Sequence, residues 1–417
     1  MKKTLTLAIS LTLTQAAFSS DKSEQIIYGV DNRIETYQAS YTQKKLAHST
    51  AGMVETVKLV KTKDKVMLPP ISIKKEMGLC EDEKFSDQPS SVICSGFLVG
   101  PNLLVTAGHC VPNQARCNEV SFVFDYKIEA DSRKADMLVS KNKVFKCNKV
   151  IEAKLQGRGN SARDYALIKL DRVVPGRSAL KIRSKSKIAD NSNLLVIGHP
   201  SGLPQKIASG ARVFSNTSPY FFKTNLDTFG GNSGSAVFNT KTLEVEGILV
   251  RGAKDYVADS INRCIRVNNE TEDIKDRFDL GESVSRITEI YSLKNRDKLF
   301  KAIKENDLNY LDEYMTQGSL AITDDQLNTV LHIASATGHM QMLEKLISLG
   351  ADLNAQNEKG ETPVHIAAFH NKKDVIKALV AKGADLNIAD KAGMKAISHI
   401  SDLDIDLVTL LGEVNKL

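Results

Sequence analysis

The stretch Asp227-Thr228-Phe229-Gly230-Gly231-Asn232-Ser233-Gly234-Ser235 sets a serine among glycines and runs directly into the strand-like Ala236-Val237-Phe238. Glycines on both sides let the backbone turn tightly, so that the amides of Gly231 and Ser233 can converge on a developing oxyanion. The stretch reads either as the loop of an activated nucleophile or as an ordinary glycine-rich turn, and its nine residues alone do not choose. The choice rests on residues far from it in the chain.

A serine hydroxyl at neutral pH needs a base to take its proton and a third group to orient that base. Thr106-Ala107-Gly108-His109-Cys110 places a histidine at the end of an apolar strand, and Arg163-Asp164-Tyr165-Ala166-Leu167-Ile168-Lys169-Leu170 places an aspartate at the start of another. His109, Asp164 and Ser233 are the candidate base, orienting acid and nucleophile. Their order along the chain, His then Asp then Ser, separates them from the orders used on other folds. His199, in Gly198-His199-Pro200, is the rival base, but Pro200, Gly202 and Pro204 trail it and it reads as a turn residue; His48 has no supporting motif.

From Val92 the chain breaks into short β-rich runs, among them Val120 to Tyr126, Leu194 to Ile197 and Val245 to Val250, punctuated by Gly, Pro, Asn and Asp. That pattern predicts an all-β sandwich or barrel. Val284 to Tyr291 has helical spacing and is expected to close this region as a short helix. Residues before Pro70 are mixed and polar, with no strand marked out.

The tail obeys a different period. Thr329-Val330-Leu331-His332-Ile333-Ala334 recurs as Thr362-Pro363-Val364-His365-Ile366-Ala367, an offset of 362 − 329 = 33 residues, and Lys395-Ala396-Ile397-Ser398-His399-Ile400 is a degraded third copy. Such a period signals stacked helix pairs. Gly350-Ala351-Asp352-Leu353-Asn354 and Gly383-Ala384-Asp385-Leu386-Asn387 repeat at the same interval, and an opening unit with a polar outer face begins near Arg296. These residues resemble ankyrin repeats, which implies a protein partner; His332 and His365 are read as turn-stabilising.

The 417 residues suffice for two domains, and a net charge of +6 with acids and bases interspersed gives no nucleic-acid footprint. Met1-Lys2-Lys3, an apolar run from Leu5 to Leu13 and the small residues Ala16-Ala17-Phe18-Ser19-Ser20 read as a secretory signal peptide, so the protein is expected to be secreted or periplasmic, with no membrane span after signal removal. Six cysteines, none after Cys264 and none in a Cys-x-x-Cys pair, favour disulfides over metal ligation. No metal and no cofactor are expected.

The three motifs around His109, Asp164 and Ser233 resemble those of the trypsin-like serine endopeptidases over roughly Val92 to Ile290. Gly231-Asn232-Ser233-Gly234-Ser235 is similar to the bacterial branch that includes the glutamyl endopeptidases, and Ile26-Ile27-Tyr28-Gly29-Val30-Asp31-Asn32-Arg33 looks like the start of mature enzymes there. The resemblance implies two six-stranded β-barrels of the chymotrypsin type with the triad in the cleft between them, hydrolysing peptide bonds. The expected fold is thus an all-β double barrel followed by an all-α ankyrin-repeat solenoid. Expected boundaries are 1–19 for the signal peptide, 20–70 for an N-terminal segment that is partly propeptide, 71–292 for the peptidase and 297–417 for the repeats.

The same resemblance implies a Cys94–Cys110 disulfide pinning the strand that carries the histidine, in keeping with a hairpin that brings both cysteines together. Cys80, Cys117, Cys147 and Cys264 admit three pairings, of which Cys117–Cys147 with Cys80–Cys264 is preferred because the first pair flanks two successive strands. For specificity, Asp227 stands six residues before Ser233, at the trypsin position for the base of the primary pocket, where a carboxylate would pair with arginine or lysine. Thr228 and Gly252 complete that pocket, with Leu249 where the glutamyl branch has a histidine. Asn232 replaces the aspartate that trypsin uses in activation, so a salt-bridge zymogen switch is not expected. The alternative reading is a catalytically silent scaffold whose repeats bind a protein.

Overall fold

The computed structural model describes residues 27–252, 254–270, 281–315 and 318–399. The expected signal peptide and the last residues of the repeat region lie outside the described residues. Six strands, β1 (Thr50–Glu55), β2 (Cys94–Leu98), β3 (Leu103–Thr106), β4 (Val120–Phe124), β5 (Val144–Gln156) and β6 (Arg163–Leu170), close a first barrel in the antiparallel order β4-β5-β6-β3-β2-β1. On its strands Phe97, Leu104, Val105, Phe122, Phe124 and Leu167 are all buried. Closure leaves no strand edge to manage.

β1 lies in the segment read from sequence as mixed and polar. Its Thr50-Ala51-Gly52 start lacks the bulky residues that mark a strand, yet the small side chains are what the packing needs: a Cβ on Gly52 would meet Val92 Cγ1 at 2.6 Å. Tertiary fit overrides propensity here.

The second barrel is built from β7 (Asn193–Gly198), β8 (Lys206–Ser215), β9 (Phe221–Thr224), β10 (Ala236–Asn239), β11 (Val245–Arg251) and β12 (Glu282–Arg286). These pair as β7-β10-β11-β12-β9-β8, and a β7–β8 ladder closes the ring. The helix expected over Val284 to Tyr291 does not form. Residues 284–286 belong to β12, whose backbone pairs with β9 on one side and β11 on the other, and only Tyr291–Lys294 (α1) is helical after an intervening 3₁₀ turn at Ile287–Glu289. Two flanking ladders satisfy more backbone groups than a lone helical turn could.

Three disulfides join Cys94 to Cys110, Cys117 to Cys147 and Cys80 to Cys264, the pairings expected from sequence. The basic run 181–187 is partly paired, with Lys181 Nζ 2.8 Å from Glu244 and Arg183 forked onto Glu246.

Behind the barrels come helix pairs: α2 (Arg296–Glu305) with α3 (Leu308–Tyr314), α4 (Val330–Thr337) with α5 (Met340–Ser348), and α6 (Pro363–Phe369) with α7 (Lys373–Ala381). The histidines of the repeated motif tie these pairs together. His332 Nδ1 accepts from the Thr329 backbone amide at 3.1 Å, while Nε2 donates to the Glu361 carbonyl of the following unit at 3.0 Å; His365 repeats this with Thr362 and Met394. Burial holds the His332 imidazole below its usual pKa. Neutral imidazole is the form that can accept at one nitrogen and donate at the other.

The repeats are docked on the first barrel. A single apolar cluster runs from its core into Leu299, Phe300, Ile303 and Leu311, and Gly318 lies so close that a Cβ there would meet the Ile151 carbonyl at 1.9 Å. Glu152 on β5 accepts from the Tyr291 and Ser292 amides, at 3.1 and 2.8 Å, as well as from the Tyr165 hydroxyl at 2.8 Å.

Candidate active site

His109 follows β3 and Asp164 sits at the start of β6, so the ladder between those strands brings them together. Asp164 Oδ1 accepts the His109 backbone amide at 3.0 Å, and Oδ2 lies 2.8 Å from Nδ1. A carboxylate only accepts, which fixes the proton on Nδ1 and leaves the Nε2 lone pair for a substrate proton. Gly108 permits the approach: a Cβ there would meet the Lys154 carbonyl at 2.1 Å. Asp164 is buried and His109 is about a third exposed, as a base that must meet a ligand requires.

Ser233 belongs to the other barrel, on the loop leading into β10. Its carbonyl accepts the Ser95 amide at 2.7 Å, and Cys110 Sγ, next to the candidate base, lies 3.7 Å from the same carbonyl. Among the described residues no hydrogen bond joins the Ser233 hydroxyl to the imidazole. Nucleophile–base contacts in ligand-free sites are often long and tighten on binding.

The loop amides divide in an informative way. Asn232 N donates to Phe229 O, Gly234 N to Leu249 O, Ser235 N to Asn232 O and Gly230 N to Asp255 Oδ2. Among the described residues those of Gly231 and Ser233 donate to nothing, which leaves two adjacent donors for an external oxyanion. Gly231 adopts φ +92°, and a Cβ there would meet the His199 carbonyl at 2.6 Å. Gly234, at φ +91°, is pressed against the Ser95 carbonyl, 2.1 Å from where a Cβ would stand.

Ser95 was not singled out from sequence. Its hydroxyl donates to the Gly231 carbonyl at 2.9 Å and accepts the His199 amide at 3.1 Å, so one buried side chain on β2 holds the Ser233 loop against the other barrel. The only available signal was a serine inside an apolar run, because a buried hydroxyl must find partners. Arg251 was also missed; its Nη2 lies 3.8 Å from Asp164 Oδ2.

His199 is not a base in this site. It is buried, its Nδ1–H donates to Leu203 O at 3.0 Å, its ring stacks on Tyr126, and burial pushes the imidazole down to about 4.

Two residues placed in the primary pocket stand elsewhere. Asp227 is 2% exposed, with Oδ1 accepting the Tyr28 amide at 2.8 Å and Oδ2 the Asn32 amide at 3.2 Å. Both oxygens are thus spent on the N-terminal segment and not presented to a cation. Burial pushes this carboxyl up to about 6, against the pull of the two amides. Leu249 points into the apolar core of the second barrel with Val237 and Val284, because β11 turns that face inward. Thr228 and Gly252 do come together, around Glu282: Thr228 Oγ1 donates to Glu282 Oε2 at 2.7 Å, and a Cβ on Gly252 would meet that oxygen at 2.1 Å.

Two closed six-stranded antiparallel barrels followed by helical repeats define a chymotrypsin-like domain with a repeat tail. A family model described as a trypsin-like peptidase domain matches residues 94–248, and one described as ankyrin repeats in three copies matches residues 299–390. The chain therefore combines a trypsin-like peptidase domain with ankyrin repeats. No curated protein matches it.

Proposed function

We propose that the protein is an exported serine endopeptidase in which Ser233 attacks a peptide carbonyl, His109 moves the proton and Asp164 orients His109. The observation that carries this reading is the pair of uncommitted amides at Gly231 and Ser233, set beside a histidine whose Nδ1 is committed to Asp164. The Ser233 hydroxyl proton passes to His109 Nε2 as the C–O bond forms. The carbonyl oxygen gains negative charge and accepts from both amides, each worth on the order of 2.7–4 kcal/mol in the transition state. Collapse of that intermediate breaks the C–N bond as His109 protonates the leaving amine, and water then releases the acyl group by the reverse sequence. Export accords with three disulfides, and among the described residues no helix is long and apolar enough to cross a membrane. The ankyrin repeats are protein-binding modules in this scheme.

A silent scaffold is the second reading, favoured by the missing bond between Ser233 and His109. A fluorophosphonate probe separates the two. The peptidase reading expects labelling at Ser233 in folded protein, lost in Ser233→Ala and strongly slowed in His109→Ala. Folded wild-type protein that takes no label sinks it.

A further inference from the structure

The turn Pro200–Gly202 lies directly against the nucleophile loop: a Cβ on Gly231 would meet the Gly202 amide nitrogen at 2.7 Å. At its centre Ser201 adopts φ +52°, a left-handed conformation that a residue with a side chain keeps only when its surroundings fix it. Three hydrogen bonds do so. The Ser201 hydroxyl bonds the Tyr256 hydroxyl at 2.5 Å, its carbonyl accepts from Ser90 Oγ at 2.8 Å, and its amide donates to the Gly230 carbonyl at 2.5 Å. Tyr256 is itself placed by its ring, 5.4 Å from that of Phe229, and by pairing with Val267 in a hairpin that Cys264 ties to Cys80.

The bond from Ser201 to Gly230 decides which way an oxyanion donor points. The Gly230 carbonyl and the Gly231 N–H share one planar trans peptide and face opposite ways. With the carbonyl drawn to Ser201, the Gly231 amide is directed away from the turn, and among the described residues it donates to nothing. Two consecutive glycines put little steric barrier on rotating the peptide between them, so its orientation has to be imposed from outside the loop. We propose that Ser201, latched by Tyr256, is a positioning residue that holds the 230–231 peptide with its amide offered to the oxyanion. The inference rests on the peptidase reading and adds to it the groups that keep the oxyanion site assembled. Released from Ser201, the peptide turns over and sets a carbonyl oxygen where the donor stood, which repels the developing charge.

Tyr256→Phe and Ser201→Ala delete the hydroxyl bond from either side; the first keeps the ring beside Phe229 and the second keeps the Ser201 amide. Full-length wild type, the two variants and the double variant are assayed on a quenched fluorescent peptide chosen from a mixed library by wild-type cleavage. Each single variant is expected to lose about 10-fold in kcat with KM within about 2-fold, the mark of an interaction made only in the transition state. The double variant falls no further, because both changes remove the same bond. Affinity for the matching peptide aldehyde, whose adduct with Ser233 bears the tetrahedral oxyanion, drops by the same factor as kcat, since only the fraction with the peptide correctly turned binds it. A smaller folded fraction would lower the apparent kcat and leave that affinity where it was. Crystals of Tyr256→Phe should show the Gly230 carbonyl turned away from Ser201 in most molecules. Wild-type kcat and aldehyde affinity in the single variants overturn the proposal, as does a loss confined to KM, an additive loss in the double variant, or a Gly230 carbonyl that stays on Ser201 in Tyr256→Phe. Failure of the peptidase reading looks different: the wild type itself cuts no peptide and Ser233 takes no fluorophosphonate, and the role given to Ser201 falls with it.

Discussion

Asp227→Asn removes a charge that the fold holds at a cost. The carboxyl is buried against the N-terminal segment and titrates at about 6 in the folded chain, against a reference value of 3.8. A raised value means that between about pH 4 and 6 the folded state binds more protons than the unfolded one, so wild-type stability falls as pH rises through that window. A difference of about two units corresponds to roughly 3 kcal/mol between the two ends. Asparagine resembles the protonated acid, with one carbonyl to accept from Tyr28 or Asn32 and no charge to desolvate. Urea unfolding at half-unit steps from pH 4 to 7.5 should show the stability difference, wild type minus variant, moving by about 3 kcal/mol in favour of the variant as pH rises. A difference that stays constant over this range, or moves the other way, refutes the claim that the Tyr28 and Asn32 amides hold a destabilised carboxylate.

Ser95→Ala leaves the Gly231 carbonyl and the His199 amide without partners, at about 1–3 kcal/mol each; urea midpoints should drop accordingly and fluorophosphonate labelling of Ser233 should slow, and wild-type values for both would remove Ser95 from the site. The Cys80–Cys264 bridge spans 184 residues and Cys94–Cys110 spans 16. Loop-closure entropy assigns the first about 5 kcal/mol and the second about 3, so the Cys80→Ser/Cys264→Ser double variant should lose more stability than Cys94→Ser/Cys110→Ser in parallel melts. His332→Ala removes the bond to Glu361 and should cost about 1–3 kcal/mol, seen as faster amide exchange in α4 and α5 with β-strand protection unchanged.

What could be read from sequence was whatever lay within a few residues. His109, Asp164 and Ser233 each carry local marks, and the repeat period announces itself through Thr329 and Thr362. Ser95 and Asp227 fail that test for the same reason. Ser95 acts on Gly231 across 136 residues, and Asp227 is answered by Tyr28 across 199. Counting back from Ser233 locates Asp227 along the chain but cannot say which amides will reach it. β1 and β12 were hidden similarly, one by small residues that suit a crowded neighbour and the other by a chance helical spacing that two ladders override.

The tail shows where such distant contacts matter for function. A tethered recruitment module would need only a linker, yet here Glu152 joins the Tyr165 hydroxyl to the first amides of α1, while Arg163 lies 3.8 Å from Glu289. The residues on either side of Asp164 are therefore both held by the segment that leads into the repeats. Cutting the chain near residue 290 would strip Leu299, Phe300 and Ile303 from a cluster shared with the first barrel as well as removing a binding surface. Loss of activity on truncation thus cannot by itself be assigned to lost recruitment. Substitutions on the outer face of the repeats, which leave Glu152 and the shared cluster intact, separate recognition by the tail from its support of β6.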